Sequence, residues 1–319
     1  MKIVFMGTPD LAAEVLDTMM KNGCEVTLAV TQPDRPKGRG RGVIKTPVHE
    51  CADKWGIPVF SPDKVKKPEA VARLREEAPD LIVVAAFGQI LSREILELPR
   101  YGCVNVHASL LPKYRGAAPI QWAVINGEKK SGVTIMQMDA GLDTGDILLQ
   151  EEIELTPEET GESLYNKMAA LGGELLVKAL PMIEEGKLTP VRQDDAQSCY
   201  APMLKKEMGN IDWTMPAHKI ERLVRGLNSW PGAYTFLNGK MLKIWGASVA
   251  SGPDVSGGQE VCTEPGTVAA TDKKAIYVHC GEGILSLNEV QYEGKKRMST
   301  QAFLLGAKVE KGAAFTRER

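Results

Sequence analysis

Asn105 and His107 stand two residues apart in the stretch GCVNVHASLLPKYRG, residues 102–116, where an apolar run gives way to polar residues. In an extended strand, side chains two apart point to the same side, so an amide and an imidazole here face one reacting group. The imidazole can take a proton from a nucleophile. The amide can hydrogen-bond a developing oxyanion without ionising. By spacing alone, the pair reads equally well as two polar residues closing a strand end. Catalysis needs a third group that orients the imidazole. The run Asp139-Ala-Gly-Leu-Asp143-Thr-Gly-Asp146 supplies carboxylates directly after another predicted strand, which puts it at the same edge of a parallel sheet.

A second stretch with chemical potential is Thr31-Gln-Pro-Asp-Arg-Pro-Lys-Gly-Arg-Gly-Arg-Gly-Val-Ile-Lys45. Its cations Arg35, Lys37, Arg39, Arg41 and Lys45 are interleaved with glycines, a composition suited to ordering on a phosphate backbone or a polynucleotide end. The bland reading is a solvated loop, yet loops this long inside a domain usually serve a function. Other motifs fall away. Gly7-Thr8-Pro9-Asp10 lacks the spacing of a dinucleotide fingerprint, and Asp34 reads as part of the basic loop's turn and not as a ribose-binding acid. His49, His218 and His279 have no partner at helical spacing, so no zinc site is indicated. The cysteines Cys24, Cys51, Cys103, Cys199, Cys262 and Cys280 are scattered without a C-x-x-C and read mainly as small hydrophobes.

The elements that must position these residues alternate between two periods. Up to about residue 188, short apolar runs at 2–6, 25–30, 58–60, 80–85, 102–106 and 133–138 read as strands, with amphipathic helices between them. Thr46 followed by Pro47 marks a capped helix start. A long helix, 162–185, repeats Leu164, Met168, Leu171, Leu175, Ala179 and Met182 at helical spacing. The expectation is α/β: a Rossmann-like parallel sheet, with ligands beyond the carboxyl ends of its strands. Residues 190–208 show no sustained period and are expected to link two domains, 1–189 and 209–319. The second domain opens with a helix at 216–227, which carries Lys219, Arg222 and Arg225 on one face as expected phosphate contacts, and continues in short strands, including a hairpin around Asn238-Gly239, which suggests a small OB-like β-barrel.

At 319 residues with 43% apolar content, two domains have ample material for a core. The N-terminus fits a first strand and not a signal peptide, and no apolar run reaches membrane-spanning length. A reduced, cytoplasmic, soluble protein without membrane partners is expected. The net charge of −2 argues against general nucleic-acid binding. Its distribution is uneven: from residue 206 onward, 15 Lys and Arg stand against 12 Asp and Glu, a net +3, which leaves −5 for the rest. That sign favours an anionic partner on the C-terminal part.

With these residues in view, the chain resembles the tetrahydrofolate-dependent formyltransferases. The resemblance rests on Asn105-x-His107, the Ser109-Leu-Leu-Pro-x-Tyr-Arg-Gly116 run, Asp143 in its turn, the basic loop and the C-terminal barrel. It implies that Asn105, His107 and Asp143 are catalytic. It implies that Ser109, Leu110, Leu111 and Pro112 line a folate site, with the backbones of Gln89, Ile90 and Leu91 and of the Asp139–Gly141 turn holding the pterin. It further implies formyl transfer from 10-formyltetrahydrofolate to the α-amine of methionine on initiator tRNA, with no metal and no covalent intermediate. Arg39, Arg41 and Lys206 are then the tRNA-binding residues, Arg39 reading the end of the acceptor stem, and a monomer is expected. Three competing functions remain at this point. A transformylase for another amine would need neither the loop nor the barrel, a nicotinamide dehydrogenase would need the missing glycines, and a non-catalytic tRNA binder would leave the Asn, His and Asp idle.

Overall fold

The apolar runs of the first half pair into one sheet whose spatial order is Ile147–Glu154, Lys130–Gln137, Cys103–His107, Leu81–Ala85, Ile3–Gly7, Val26–Val30 and Val59–Phe60. The computed structural model describes residues 1–36, 43–250 and 264–318 of the chain. The five strands from Cys103–His107 to Val59–Phe60 are mutually parallel. This core is the Rossmann-like sheet that the sequence predicts, and Ile3–Gly7 and Leu81–Ala85 are buried throughout, as strands covered on both faces must be.

One expectation is corrected. The strand Lys130–Gln137 runs antiparallel to Cys103–His107, with Val104 opposite Gln137 and His107 opposite Thr134. The next strand, Ile147–Glu154, turns back along it and was not foreseen, because its alternation mixes Leu and Ile with Gln and Glu at an edge. The turn after Gln137 therefore leaves the sheet beside Cys103, where the Met138 N–H meets the Cys103 carbonyl at 2.8 Å. It does not start from the carboxyl edge at His107.

The helix Gly161–Glu184 comes close to the strand that carries Asn105 and His107. A Cβ on Gly172 would stand 2.9 Å from Cγ1 of Val106, so glycine is required for this approach. Val106 alternates with Asn105 and His107, which leaves the opposite face of the strand to the polar pair. Thr46 caps Pro47–Trp55 as predicted, accepting from the His49 N–H at 3.1 Å. Thr46→Ala should therefore cost about 1 kcal/mol, read as a lower urea midpoint at unchanged slope. An unmoved midpoint would leave the cap without a stabilising role.

Two compact units emerge from the chain: Met1–Pro119, Lys130–Glu154 and Leu164–Pro202 form the first; Ile120–Lys129, Leu155–Ser163 and Met203–Arg319 form the second. Residues 190–202, read from sequence as the start of a linker, belong to the first unit. Val191 bridges Ile147, and Tyr200–Ala201 pairs in parallel with Arg115–Gly116.

In the second unit, the antiparallel strands run in the order Val268–Thr271, Ile276–His279, Ile284–Tyr292, Lys240–Val249, Ala233–Leu237 and Phe315–Thr316. The last strand closes the circle. It pairs with Ala233–Leu237 on one side, while Ala313 and Phe315 exchange backbone hydrogen bonds with Val268 and Gly266 on the other. Closure removes exposed edges, which is the barrel expected from closely spaced strands. Asn238 and Gly239 both adopt positive φ, +53° and +73°, in the tight turn that joins Ala233–Leu237 to Lys240–Val249. Trp213 stacks on Phe315 at 5.7 Å in the core. Among the described residues, no helix is long and apolar enough to cross a membrane.

Candidate active site

Asn105 and His107 sit on the strand Cys103–His107, the amide partly exposed and the imidazole 5% exposed. The Asn105 side chain makes no hydrogen bond among the described residues, so its N–H groups are available to a ligand. His107 Nε2 lies 2.9 Å from the Tyr114 carbonyl oxygen. A carbonyl only accepts, so Nε2 carries the proton. In the neutral ring, Nδ1 is then a bare lone pair, and it faces Asp143 Oδ2 at 3.8 Å. That separation is too long for a hydrogen bond. The Tyr114 carbonyl therefore fixes the tautomer and ring direction, and the Asp143 carboxylate stands near the ring without a hydrogen bond to it. The orienting hydrogen bond that the sequence reading expects from Asp143 is not made at this separation.

The turn bearing Asp143 reaches His107 from the far end of the strand. Asp143 adopts φ +53°, and the Gly116 N–H donates to its Oδ2 at 2.8 Å. Asp139 folds the turn on itself, accepting from the Gly141 N–H and from Thr144 Oγ1. Behind the turn stands Gln193, a buried amide in the segment read from sequence as a linker. Its Nε2 donates to the carbonyls of Asp143 and Gly145, and its Oε1 accepts from Arg115 Nε. The same segment holds the other side of the site: the Tyr114 N–H meets Cys199 Sγ, and the Arg115 N–H donates to the Cys199 carbonyl.

The residues expected to line a folate site divide into buried and open ones. Ser109 is fully buried, donating to the Lys113 carbonyl, and Leu111 is buried beside Thr134, which accepts from the Leu111 N–H. Leu110 and Pro112 are partly exposed. Gln89 spends its side chain on the loop itself, accepting from the Val65 N–H and donating to the Pro62 carbonyl. This leaves Ile90 projecting, 84% exposed, and the Ile90 and Leu91 backbones make no hydrogen bond among the described residues. Phe87, Leu91 and Cys103 share one buried cluster against which Met138 packs, so the 87–91 loop and the start of the 138–146 turn have a common base. Leu142 on that turn is 56% exposed. Free backbone donors and acceptors beside solvent-facing apolar side chains suit a flat, amide-bearing heterocycle such as a pterin.

The cations are distributed differently from the sequence reading. Arg39 and Arg41 lie outside the described residues, as does Cys262. At the root of their loop, Asp34 accepts from the Thr46 N–H and pairs with His49 at 3.1 Å, which ties the loop's two ends together as the turn reading expects. Lys206 is exposed, and Lys219 is exposed on its helix. Arg225 instead pairs with Glu221 and donates to the Glu159 carbonyl, and Arg222 donates to the Asn126 carbonyl. Arg225 is thereby neutralised within the second unit and drops out of the cationic face expected from helical spacing, whereas Arg222 keeps its charge. Burial pushes the thiols of Cys103 and Cys280 up to about 12 and that of Cys51 up to about 11, so these three stay protonated and inert at neutral pH.

A parallel-dominated sheet bearing an unpaired amide and a tautomer-fixed imidazole on one strand face, with a carboxylate brought to them by a turn, defines the class: the formyl transferase profile matches residues 1–180, and the profile of the formyl transferase C-terminal domain matches residues 203–308. Methionyl-tRNA formyltransferase of Agathobacter rectalis is 52% identical over 99% of this chain and 100% of its own length. The methionyl-tRNA formyltransferase of Geobacter metallireducens is 52% identical over 98% of this chain and 97% of its own. The chain belongs to this formyl transferase family, among its methionyl-tRNA formyltransferases, and the resemblance read from the motifs is borne out. A solved N-formyltransferase from Helicobacter canadensis, in complex with folinic acid and dTDP-3-aminofucose, shares the fold at 19% identity and TM-score 0.63, covering 90% of this chain and 98% of that one.

Proposed function

We propose that this protein moves the formyl group of 10-formyltetrahydrofolate to the α-amine of methionine esterified to initiator tRNA. The observation that carries the reading is the free Asn105 amide on the same strand face as an imidazole whose Nδ1 is bare. The folate supplies the formyl group on its N10. Asn105 donates to the formyl oxygen as negative charge gathers there. His107 accepts a proton at Nδ1 from the attacking amine, and Asp143 favours the resulting imidazolium. The carbon–nitrogen bond to the α-amine forms, the bond to N10 breaks, and the amine's proton passes to N10 through a water. The two halves of the family profile and the full-length match to methionyl-tRNA formyltransferases support this substrate pair over a small amine.

In this reading the first unit does the chemistry, with Leu110, Pro112, the 89–91 backbone and the Asp139–Gly141 turn at the folate. The barrel of residues 209–319, Lys206 and the basic loop with Arg39 and Arg41 hold the tRNA. The protein works as a monomer in the cytoplasm, where its tRNA is charged. The direct test incubates it with 10-formyltetrahydrofolate and either Met-tRNA or free methionine. Formylmethionyl-tRNA is the expected product, and formylation of free methionine alone, or of neither, refutes the proposal.

The tRNA contacts make a separate prediction. Lys206→Ala should weaken tRNA binding and lower the log–log salt slope by about one unit, because one phosphate contact is lost. Arg225→Ala should leave the slope unchanged, since Glu221 already neutralises that guanidinium. Filter binding between low and moderate salt distinguishes the two. Equal slopes for wild type and Lys206→Ala would remove Lys206 from the contact surface.

A further inference from the structure

The geometry points to Gln193 as a positioning residue that sets Asp143 against His107, an inference that rests on the catalytic reading of that pair. Gln193 is 6% exposed, and its amide is fully employed. Both Nε2 hydrogens go to carbonyls of the catalytic turn, Asp143 at 2.9 Å and Gly145 at 2.7 Å, and Oε1 accepts from Arg115 Nε at 3.0 Å. Since two carbonyls can only accept, the amide cannot be flipped, and no other side chain of this size offers two donors on one atom and an acceptor on the next.

What these bonds hold is the turn's backbone on both sides of Thr144. Asp143 is in the left-handed region, a conformation that aspartate tolerates better than most residues and that the two Gln193 hydrogen bonds hold in place. The carboxylate is held at its other end by the Gly116 N–H. Arg115 joins the two anchors. It precedes Gly116 in a short strand paired with Tyr200–Ala201, and its guanidinium reaches both Gln193 and Asp195, the latter at 2.8 Å. The segment 193–201 is thus a strap. It fixes the Asp143 turn through Gln193 and fixes the Tyr114 carbonyl, the acceptor for His107, through Cys199. Loosening Gln193 lets Oδ2 drift from its 3.8 Å separation, and electrostatic help to the imidazolium falls with distance.

The test compares Gln193→Met, Asp143→Asn and the double variant in steady-state formylation, with folate binding measured alongside. Gln193→Met keeps the side chain's bulk and removes all three hydrogen bonds. It should lower kcat by about 10–100-fold while KM for both substrates stays within twofold, since a small misplacement of a catalytic group costs on that scale. In the Asp143→Asn background the same substitution should cost less than threefold, because the group being positioned is gone. Gln193→Glu, which keeps the Arg115 contact and turns an acceptor towards the two carbonyls, should match Gln193→Met and serves if the methionine variant fails to bind folate. Near-wild-type kcat in either folate-binding variant, a rise in KM instead of a fall in kcat, or full additivity with Asp143→Asn overturns the role. If Asp143→Asn itself is fully active, the catalytic reading fails and this inference falls with it. If only the Gln193 variants are fully active, the inference fails alone.

Discussion

Asn105→Ala should lower kcat by about 10²–10³, the usual loss when one oxyanion donor is removed, with tRNA affinity unchanged. The size follows from the free state of the amide. A side chain that satisfies other groups loses activity and stability together when cut back; the Asn105 amide has no hydrogen bond to surrender among the described residues. Its whole hydrogen-bonding capacity is therefore held for the ligand, and the loss should appear in the chemical step. Asn105→Asp sharpens the test, since it preserves shape while placing a carboxylate where the formyl oxygen gains charge. It should be slower than the alanine variant. Single-turnover formylation with both substrates saturating isolates the step, and a rate within a few-fold of wild type for Asn105→Ala would sink the oxyanion assignment.

The parts of this site that were legible in the sequence are those governed by local rules. Asn105 and His107 share a face because strand periodicity is two, and Thr46 caps a helix because its hydroxyl accepts a first-turn N–H, with proline favouring the start at the next position. The hairpin at Asn238-Gly239 is equally local. What escaped was set by pairings that span large sequence separations. Strand direction is one case: an apolar run such as Gly132–Met136 looks the same parallel or antiparallel, and only the return strand Ile147–Glu154 reveals the reversal. The error moved the Asp143 turn to the wrong end of the strand. Gln193 is the second case. Its partners lie 48 to 78 positions away, and its surroundings of Pro, Arg, Asp and Ser carry no period, so the segment passed for a linker. A buried glutamine amide between exposed neighbours leaves no signal in composition. Arg225 failed for a different reason. Helical spacing showed it beside Arg222, yet its i−4 partner Glu221 neutralises it, an ion pair that was itself visible at helical spacing.

The pair His107 and Asp143 should behave as one unit when dissected. Asp143→Asn is a clean substitution here, because a single oxygen, Oδ2, both accepts from the Gly116 N–H and faces Nδ1. Asparagine can keep an oxygen at that place and the turn with it, so only the charge is lost. A full charge 3.8 Å from an imidazolium, at an effective dielectric near 20, is worth about 4 kcal/mol before desolvation is counted. A fall in kcat of about 10²-fold is therefore expected. His107→Ala removes the proton acceptor outright and should cost about 10²–10⁴. If the carboxylate works through the imidazolium, adding Asp143→Asn to His107→Ala should cost little more, whereas independent roles would multiply the two losses. The tautomer supplies the decisive control. His107→Gln can place its Nε2 donor towards the Tyr114 carbonyl but has no basic nitrogen to offer the amine. It should preserve folding and folate binding and remain as slow as alanine, and recovery of activity by glutamine would mean that His107 serves as a hydrogen-bond donor and not as the base.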